Sequence, residues 1–190
     1  MKKQIVITIA AVLSIAPAVA FAGPSVGLGY TNIGLTGHSG RPGVTLSAGN
    51  MYKHNVVAAG NATIASNFDS FNAQIGKELP VTGTVSVEPY LAAGFTNINY
   101  AKAPSLTDVY ALAGANVNMP VTRSVSFGFG GSYGHTIGSY GSAGGQVYTG
   151  DAIAAFKIAP RVSSDLSVSY MHIPGQAGMQ YSAGLAYHFS

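Results

Sequence analysis

The sequence has 190 residues, a formal net charge of +3 at pH 7 and no cysteine. Charged residues make up only 8% of it, against roughly 25% in ordinary soluble domains. The lack of cysteine excludes a disulfide framework, a thiol nucleophile and a cysteine-ligated zinc site. The aromatic content of 10% argues against a disordered chain, and so few charges predict no nucleic-acid partner.

The amino terminus has the three parts of a bacterial secretory signal. A start with two lysines is followed by an apolar stretch and then by a small-residue site that reads Ala-Phe-Ala. Pro17 breaks the apolar stretch, which favours a cleaved signal over an uncleaved membrane anchor. We expect cleavage between Ala22 and Gly23, so that residues 1–22 are a signal peptide and residues 23–190 form one domain.

Three prolines organise the rest of the chain. Pro80, Pro120 and Pro160 recur at intervals of 40 residues, and each precedes a run in which apolar and small residues alternate. Proline lacks a backbone donor, so it marks a turn or the end of a strand. An interval of this length fits two strands with one loop and one turn, and such a pair of strands is the unit of an up-and-down barrel. Propeller blades have a similar period but carry four strands each.

The turns predict ten strands, with eight as the alternative if short early segments merge or fall outside the sheet. An even number places both chain ends on the same side, as single-chain bacterial barrels require. The expected strands are 25–35, 43–52, 56–66, 69–79, 84–97, 107–119, 124–136, 147–159, 165–173 and 179–189.

The clearest alternation is SVSFGFGGSYG, at 124–134, where Phe127 and Phe129 share one face and glycines and serines share the other. Unpaired backbone groups are costly in lipid, so such a sheet must close on itself. We therefore predict an all-β fold: a closed antiparallel up-and-down transmembrane β-barrel in the bacterial outer membrane, with apolar faces outward and Gly/Ser/Thr faces inward. A soluble secreted β-sandwich is the alternative, but it would need a charged surface.

The same alternation selects candidate functional residues on both faces of the strands. Aromatic rings near strand ends suit the bilayer interface; the candidates are Tyr30, Tyr133, Tyr148, Tyr170, Tyr187 and Phe189. Charges expected inside the barrel need partners, and a pairing of Lys157 with Glu88 or Asp151 is one option. The candidate lumen-facing charges are Glu78, Glu88, Asp108, Asp151 and Lys157.

Several stretches resemble the YfaZ-type outer-membrane proteins of Gram-negative bacteria: YTNIGLTG from Tyr30, RPGVTLSAGN from Arg41, and the end of the chain from Gly150. More remotely, the chain resembles OmpX/OmpA-like and opacity-type barrels. The resemblance implies an outer-membrane location and brings no catalytic residues. The last strand also resembles the signal read by the barrel-assembly machinery, although Phe189 is followed by Ser190.

Three functions are compatible with the sequence. The first is that of a small non-enzymatic barrel with a structural or surface role. Such a barrel, expected to be a monomer without cofactor, would contact lipids and lipopolysaccharide through tyrosines and through Arg41 and Lys102. The second function is a narrow pore for small solutes or ions. Exposed loops, expected at 36–42, 98–106 and 137–146, are too short to favour adhesion.

The third function, a lipid A-modifying enzyme, is disfavoured because the chain lacks the residues that it needs. His172 is followed by Ile-Pro-Gly rather than by a serine nucleophile, and no acid follows Asp165. The five histidines are scattered singly, so no metal site is expected. His38, His135 and His172 would have to be brought together by outer loops.

Overall fold

The computed structural model describes residues 23–37, 39–100 and 104–189. The predicted signal peptide, including Ala22, lies outside these residues, whereas Gly23 is the first residue described. No helix of the described part is long and apolar enough to cross a membrane. The strands are β1 Ser25–Leu35, β2 Arg41–Met51, β3 Val56–Ala65, β4 Phe68–Lys77, β5 Leu79–Thr82, β6 Val85–Ile98, β7 Leu106–Pro120, β8 Val125–Tyr140, β9 Gln146–Ala159, β10 Val162–Ile173 and β11 Gln176–His188.

The strands form one closed antiparallel barrel. Apart from the short β5, each strand pairs with its neighbours along the chain. β1 pairs with β11 from Ser25↔His188 to Leu35↔Gly178, which joins the first strand to the last. β5 is a short segment that pairs only with β6, while β4 pairs with β6 above it. The ring therefore contains ten strands, as predicted, and the eight-stranded alternative is excluded.

The two faces of the barrel have opposite chemistry. On β8, Phe127 and Phe129 are exposed on the outside, whereas Ser126 and Ser132 are buried inside. On β11, Leu185 is likewise exposed, and the exposed large side chains over the whole exterior are mainly Leu, Ile, Val, Tyr and Phe. Only lipid makes such an exterior favourable on a closed barrel. The chain is an outer-membrane β-barrel.

Three predicted strand boundaries, the end of β8 and the starts of β10 and β11, are wrong by three or four residues. The segment 137–146 was expected to be a loop, but β8 continues to Tyr140 because Gly138, Ser139 and Tyr140 pair with β7. The segment from Gly138 to Tyr140 is therefore strand, and Gly141 turns the chain with φ +77°. Likewise β11 begins at Gln176 rather than at 179, because Gly175, with φ +82°, completes a tight turn directly after β10. At its other end β10 begins at Val162 rather than at 165.

The two ends of the barrel differ in their connections. Gly23 and Phe189, the first and last described residues, and the turns at 52–55, 121–124 and 160–161 lie at one end, which we call the terminal end. The described parts of the longer connections, 36–37, 39–40, 99–100, 104–105 and 141–145, lie at the opposite end, which we call the outer end. Outer-membrane barrels have short turns on the periplasmic side and longer loops outside, so the terminal end is the periplasmic one.

Candidate functional site

The lumen is the candidate functional site, and its central part is polar. Inward positions of most strands carry buried hydroxyl or amide side chains, and several of these pair across strands. Thr45 bonds Thr63 at 2.7 Å between their hydroxyl oxygens, and Ser132 bonds Thr149 at 2.6 Å. The buried side chains of this central polar layer include Thr31, Thr45, Asn61, Thr63, Ser70, Asn72, Gln74, Asn116, Asn118, Ser132, Thr149 and Gln180.

The outer end of the lumen is closed by apolar side chains. They come from the ends of six strands nearest the outer connections, and many of them are completely buried. Phe68 and Ile98 lie opposite each other on β4 and β6, and Leu106 lies next to Ile98 on β7. We call this layer the outer plug; its members are Ile33, Leu35, Phe68, Ile98, Leu106, Tyr110, Leu112, Val147, Met171 and Ile173.

Two tyrosines narrow the lumen by lying flat on its wall. Tyr90 on β6 is directly opposite Gly114 on β7, and Gly94 is opposite Tyr110 in the same two strands. A Cβ at Gly114 would come within 2.6 Å of the Tyr90 ring, and one at Gly94 within 3.0 Å of the Tyr110 ring. Glycine is required at these two positions because each ring lies where its side chain would be.

Below the plug, two carboxylates flank an amide. Glu88 on β6 is almost fully buried and lies opposite Asn116 on β7, and its Oε1 accepts a hydrogen bond of 3.2 Å from the Gln74 amide. Gly130 on β8 pairs with Asn116 on β7 and with Asp151 on β9. Their side chains share the space above it: Oδ1 of Asn116 and both carboxylate oxygens of Asp151 would lie 2.5–2.9 Å from a Gly130 Cβ.

The other candidate charges lie outside this group, and of these Glu78 is within electrostatic range of Glu88. Asp108 faces inward at the outer end, where the Ser142 hydroxyl donates a 2.7 Å hydrogen bond to its Oδ1. Glu78 lies between β4 and β5 at the terminal end, where the Ser86 hydroxyl donates to its carboxylate. Lys157 is exposed near the end of β9, six residues from Asp151. The structure thus places Glu88 and Asp151 on either side of Asn116, with Glu78 within electrostatic range of Glu88, whereas Asp108 and Lys157 lie elsewhere.

Asp165 is a further lumen-facing acid, and it is not among the candidates selected from the sequence. It lies at the edge of an internal cavity of about 20 Å³ with Thr45, Ser47 and Ile153, which is enough space for a water molecule. Asp165 was expected to be the first residue of its strand, but β10 begins at Val162. Its position relative to the buried Ser163 would have placed it on the inner face.

The candidate interface aromatics all point outward, but only some lie near strand ends. Tyr187 and Phe189 form an edge-to-face pair at the terminal end, with ring centroids 5.1 Å apart. Tyr148 and Tyr170 lie near the outer end, with centroids 6.1 Å apart. The two remaining candidates differ from the expectation, because Tyr30 lies in the middle of β1 and Tyr133 in the middle of the extended β8.

The histidines that the structure describes are separate. His172 is on the outer face of β10 and stacks on the Tyr148 ring, with centroids 4.5 Å apart and planes at 11°. His135 is on the outer face of β8, with β9 between it and His172. His188 faces inward at the terminal end, 2.9 Å from the Ser163 hydroxyl. His38 lies outside the described residues, among which no group of three His, Asp or Glu could hold a metal ion.

Arg41 is not the lipopolysaccharide-facing rim cation that the sequence suggested. It is buried at the start of β2, and its Nη1 donates a 2.8 Å hydrogen bond to the backbone carbonyl of Asn67. Arg41 therefore holds the tight turn between β3 and β4. The other expected rim cation, Lys102, lies outside the described residues.

A shallow depression lies above the plug on the outer surface. It has a volume of about 560 Å³ and lies between Tyr100 and Pro104 on one side, residues 141–144 on another, and the turn at Pro174 and Gly175. Tyr100, Pro104 and Leu106 give it an apolar wall. Leu106 is also part of the plug, so the depression leads directly to the closed mouth of the lumen.

No family model matches this sequence. No curated protein sequence matches it. Among solved structures, an outer-membrane channel from Pseudomonas putida is 8% identical with a TM-score of 0.57, over 93% of this chain and 100% of that one. The NanC porin is 7% identical with a TM-score of 0.53, over 85% of this chain and 100% of that one. At these identities the likeness shows a shared outer-membrane barrel fold.

Proposed function

We propose that this protein is a narrow, non-enzymatic outer-membrane channel for small solutes or ions, and that the outer plug is its gate. The observation that carries the proposal is the set of buried polar atoms in the lumen that lack a protein partner. They include Ser70 Oγ, Asn72 Nδ2, Tyr90 Oη, Asn116 Oδ1 and Asn118 Oδ1.

These atoms favour a hydrated lumen over a solid core. Leaving one buried donor or acceptor unsatisfied costs about 1–3 kcal/mol of folding free energy. A dry barrel would lose this free energy at each of the five positions. Water that enters the lumen removes the penalty. A barrel with a purely structural role is better stabilised by apolar or fully paired side chains.

The outer plug has the properties of a hydrophobic gate. An apolar constriction excludes water and ions until it widens, even when it is not blocked by a folded domain. The plug consists of side chains at the outer ends of the strands. Rotamer changes of these side chains would therefore open it. The Pseudomonas putida channel and the NanC porin, which share the fold, support the channel function and carry no information on the gate.

A structural or surface role is the second candidate, and the closed plug itself favours it. In that role the barrel would be a monomer that contacts lipid and lipopolysaccharide through its outer tyrosines, such as Tyr148 and Tyr170. In both roles β11 would be the segment that the barrel-assembly machinery recognises. The likeness to YfaZ-type proteins is compatible with either role and is part of this proposal.

Planar-bilayer recording of the refolded protein separates the two candidates. A gated channel should give rare, discrete current steps, because thermal motion opens the plug only occasionally. The structural role predicts a silent membrane, including when the plug has been removed by mutation. Correct insertion is checked first by the shift in gel mobility on heating. A correctly inserted barrel without its plug that carries no current would contradict the channel.

A further inference from the structure

The acidic residues of this chain are concentrated inside the barrel. The whole sequence has only six aspartates and glutamates. Four of them, Glu88, Asp108, Asp151 and Asp165, occupy inward positions of their strands, and Glu78 lies at the terminal rim. Only Asp69 lies on the outer face. So uneven a distribution gives the lumen a negative electrostatic potential.

The cations of the chain do not balance this charge. Arg41 is the one buried lysine or arginine of the described residues, and it is bonded to the Asn67 carbonyl at the outer end. Every other described lysine and arginine is exposed. A buried carboxylate without a counter-charge is strongly disfavoured, so these acids either keep a proton or bind a positive charge from solution.

The oxygen atoms around Asp151 form a site of the right kind. Oδ1 of Asn116, on a side chain that is 2% exposed, points into the space above Gly130 beside the Asp151 carboxylate and has no hydrogen-bond partner. The hydroxyl of Tyr90, also without a partner, lies within electrostatic range of both Asp151 and Glu88. An amide oxygen that points at an ionised carboxylate is repelled by it, and a cation bound between the two oxygens removes this repulsion.

We propose that Asp151, Asn116 and Tyr90, with Glu88 behind Asn116, bind a partly hydrated hard cation and make the lumen cation-selective. Carboxylate, amide and hydroxyl oxygens are the ligands that Ca²⁺ and similar ions take in proteins, usually completed by water. Rings of acidic side chains select cations in other channels. Selectivity rests on the proposed channel function, whereas binding of the cation does not.

Cation binding is tested on refolded protein in detergent, so that the result is independent of conduction. Tb³⁺ is the probe, because a nearby tyrosine such as Tyr90 sensitises its luminescence, and Ca²⁺ is the competitor. We expect one site per chain that Asp151→Asn weakens about tenfold, the loss that accompanies removal of a charged contact. Asp69→Asn, which removes the same charge from the outer face, should bind like the wild type. Equal binding by all three proteins would overturn the site.

Selectivity is measured as the reversal potential in a KCl gradient across a planar bilayer. We expect the wild type, or a variant with an opened plug, to favour K⁺ over Cl⁻ several-fold. The double variant Glu88→Gln/Asp151→Asn should lose most of this preference, while Asp69→Asn should keep it. A conducting double variant with unchanged selectivity would overturn the inference alone. If nothing conducts, the channel function fails, and the Tb³⁺ titration still decides the site.

Discussion

Refolded protein that carries Phe68→Ala and Ile98→Ala is expected to conduct several-fold more current than the wild type in planar bilayers. These two side chains lie opposite each other in the outer plug and are fully buried. Their removal opens the narrow apolar layer that separates the polar lumen from the outer surface. Water can then form a continuous column, and the energetic barrier of a dry constriction disappears.

The matched control has the same chemistry on the other face of the barrel. Phe71→Ala and Ile75→Ala remove an aromatic and an aliphatic side chain from the outer face of β4, where both are exposed. This variant should conduct like the wild type. If both double variants raise the current equally, general loosening of the barrel is responsible and the plug is not a gate.

A second plug variant covers the case in which the double variant folds poorly. Replacing Phe and Ile by Ala in a core costs about 3–5 and 2–5 kcal/mol respectively. Ile98→Asn keeps the number of side-chain heavy atoms but makes the constriction wettable. We expect it to conduct more than the wild type as well. A folded Ile98→Asn barrel with wild-type current would show that closure does not depend on the apolar character of the plug.

The second large effect is expected from Gly134→Ala on β8. A Cβ at this position would collide with the backbone carbonyl of Ala111, and it would lie 2.8 Å from Leu112 Cα. Neither atom is a flexible side-chain end, so the two strands have to separate. We expect the folded barrel to lose about 3 kcal/mol, the upper end of ordinary overpacking costs. Urea unfolding in lipid vesicles, followed by heat-dependent gel mobility, measures the loss.

Gly138→Ala is the control on the same strand. Its Cβ would make an ordinary contact of 3.9 Å with Val109 Cβ, so we expect stability within about 0.5 kcal/mol of the wild type. Equal stability of Gly134→Ala and Gly138→Ala would contradict the close approach of β7 and β8. The register of these strands also positions Asn116 above Gly130.

The architecture could be predicted because its signal is local. In a strand, the period of two assigns each side chain to a face without knowledge of any partner strand. Phe127 and Ser126 could therefore be assigned to opposite faces, and prolines near the turns fixed the number of strands. The 137–146 segment was assigned wrongly because its glycines favour a loop, whereas pairing of Ser139 with Asp108 on β7 extends the strand.

The plug and the acidic site could not be predicted from the sequence, because both depend on register between strands. Phe68 and Ile98 are 30 residues apart in the chain and meet only through the pairing of β4 with β6. Glu88, Asn116 and Asp151 come together because Asn116 is opposite both Glu88 and Gly130. Alternation identifies a lumen-facing residue, but it does not identify the neighbours on the next strand.

The central claim is that the polar face of each strand encloses water while the apolar face meets lipid. The chain has no native cysteine, so single cysteines along β8 report on each face cleanly. In vesicles, the cysteine of Ser132→Cys should react with a small charged thiol reagent, whereas the cysteine of Phe129→Cys should be protected from it. In a separate measurement, a probe attached at position 129 should be quenched by a lipid-bound quencher. Reaction at position 129 with protection at position 132 would contradict the account.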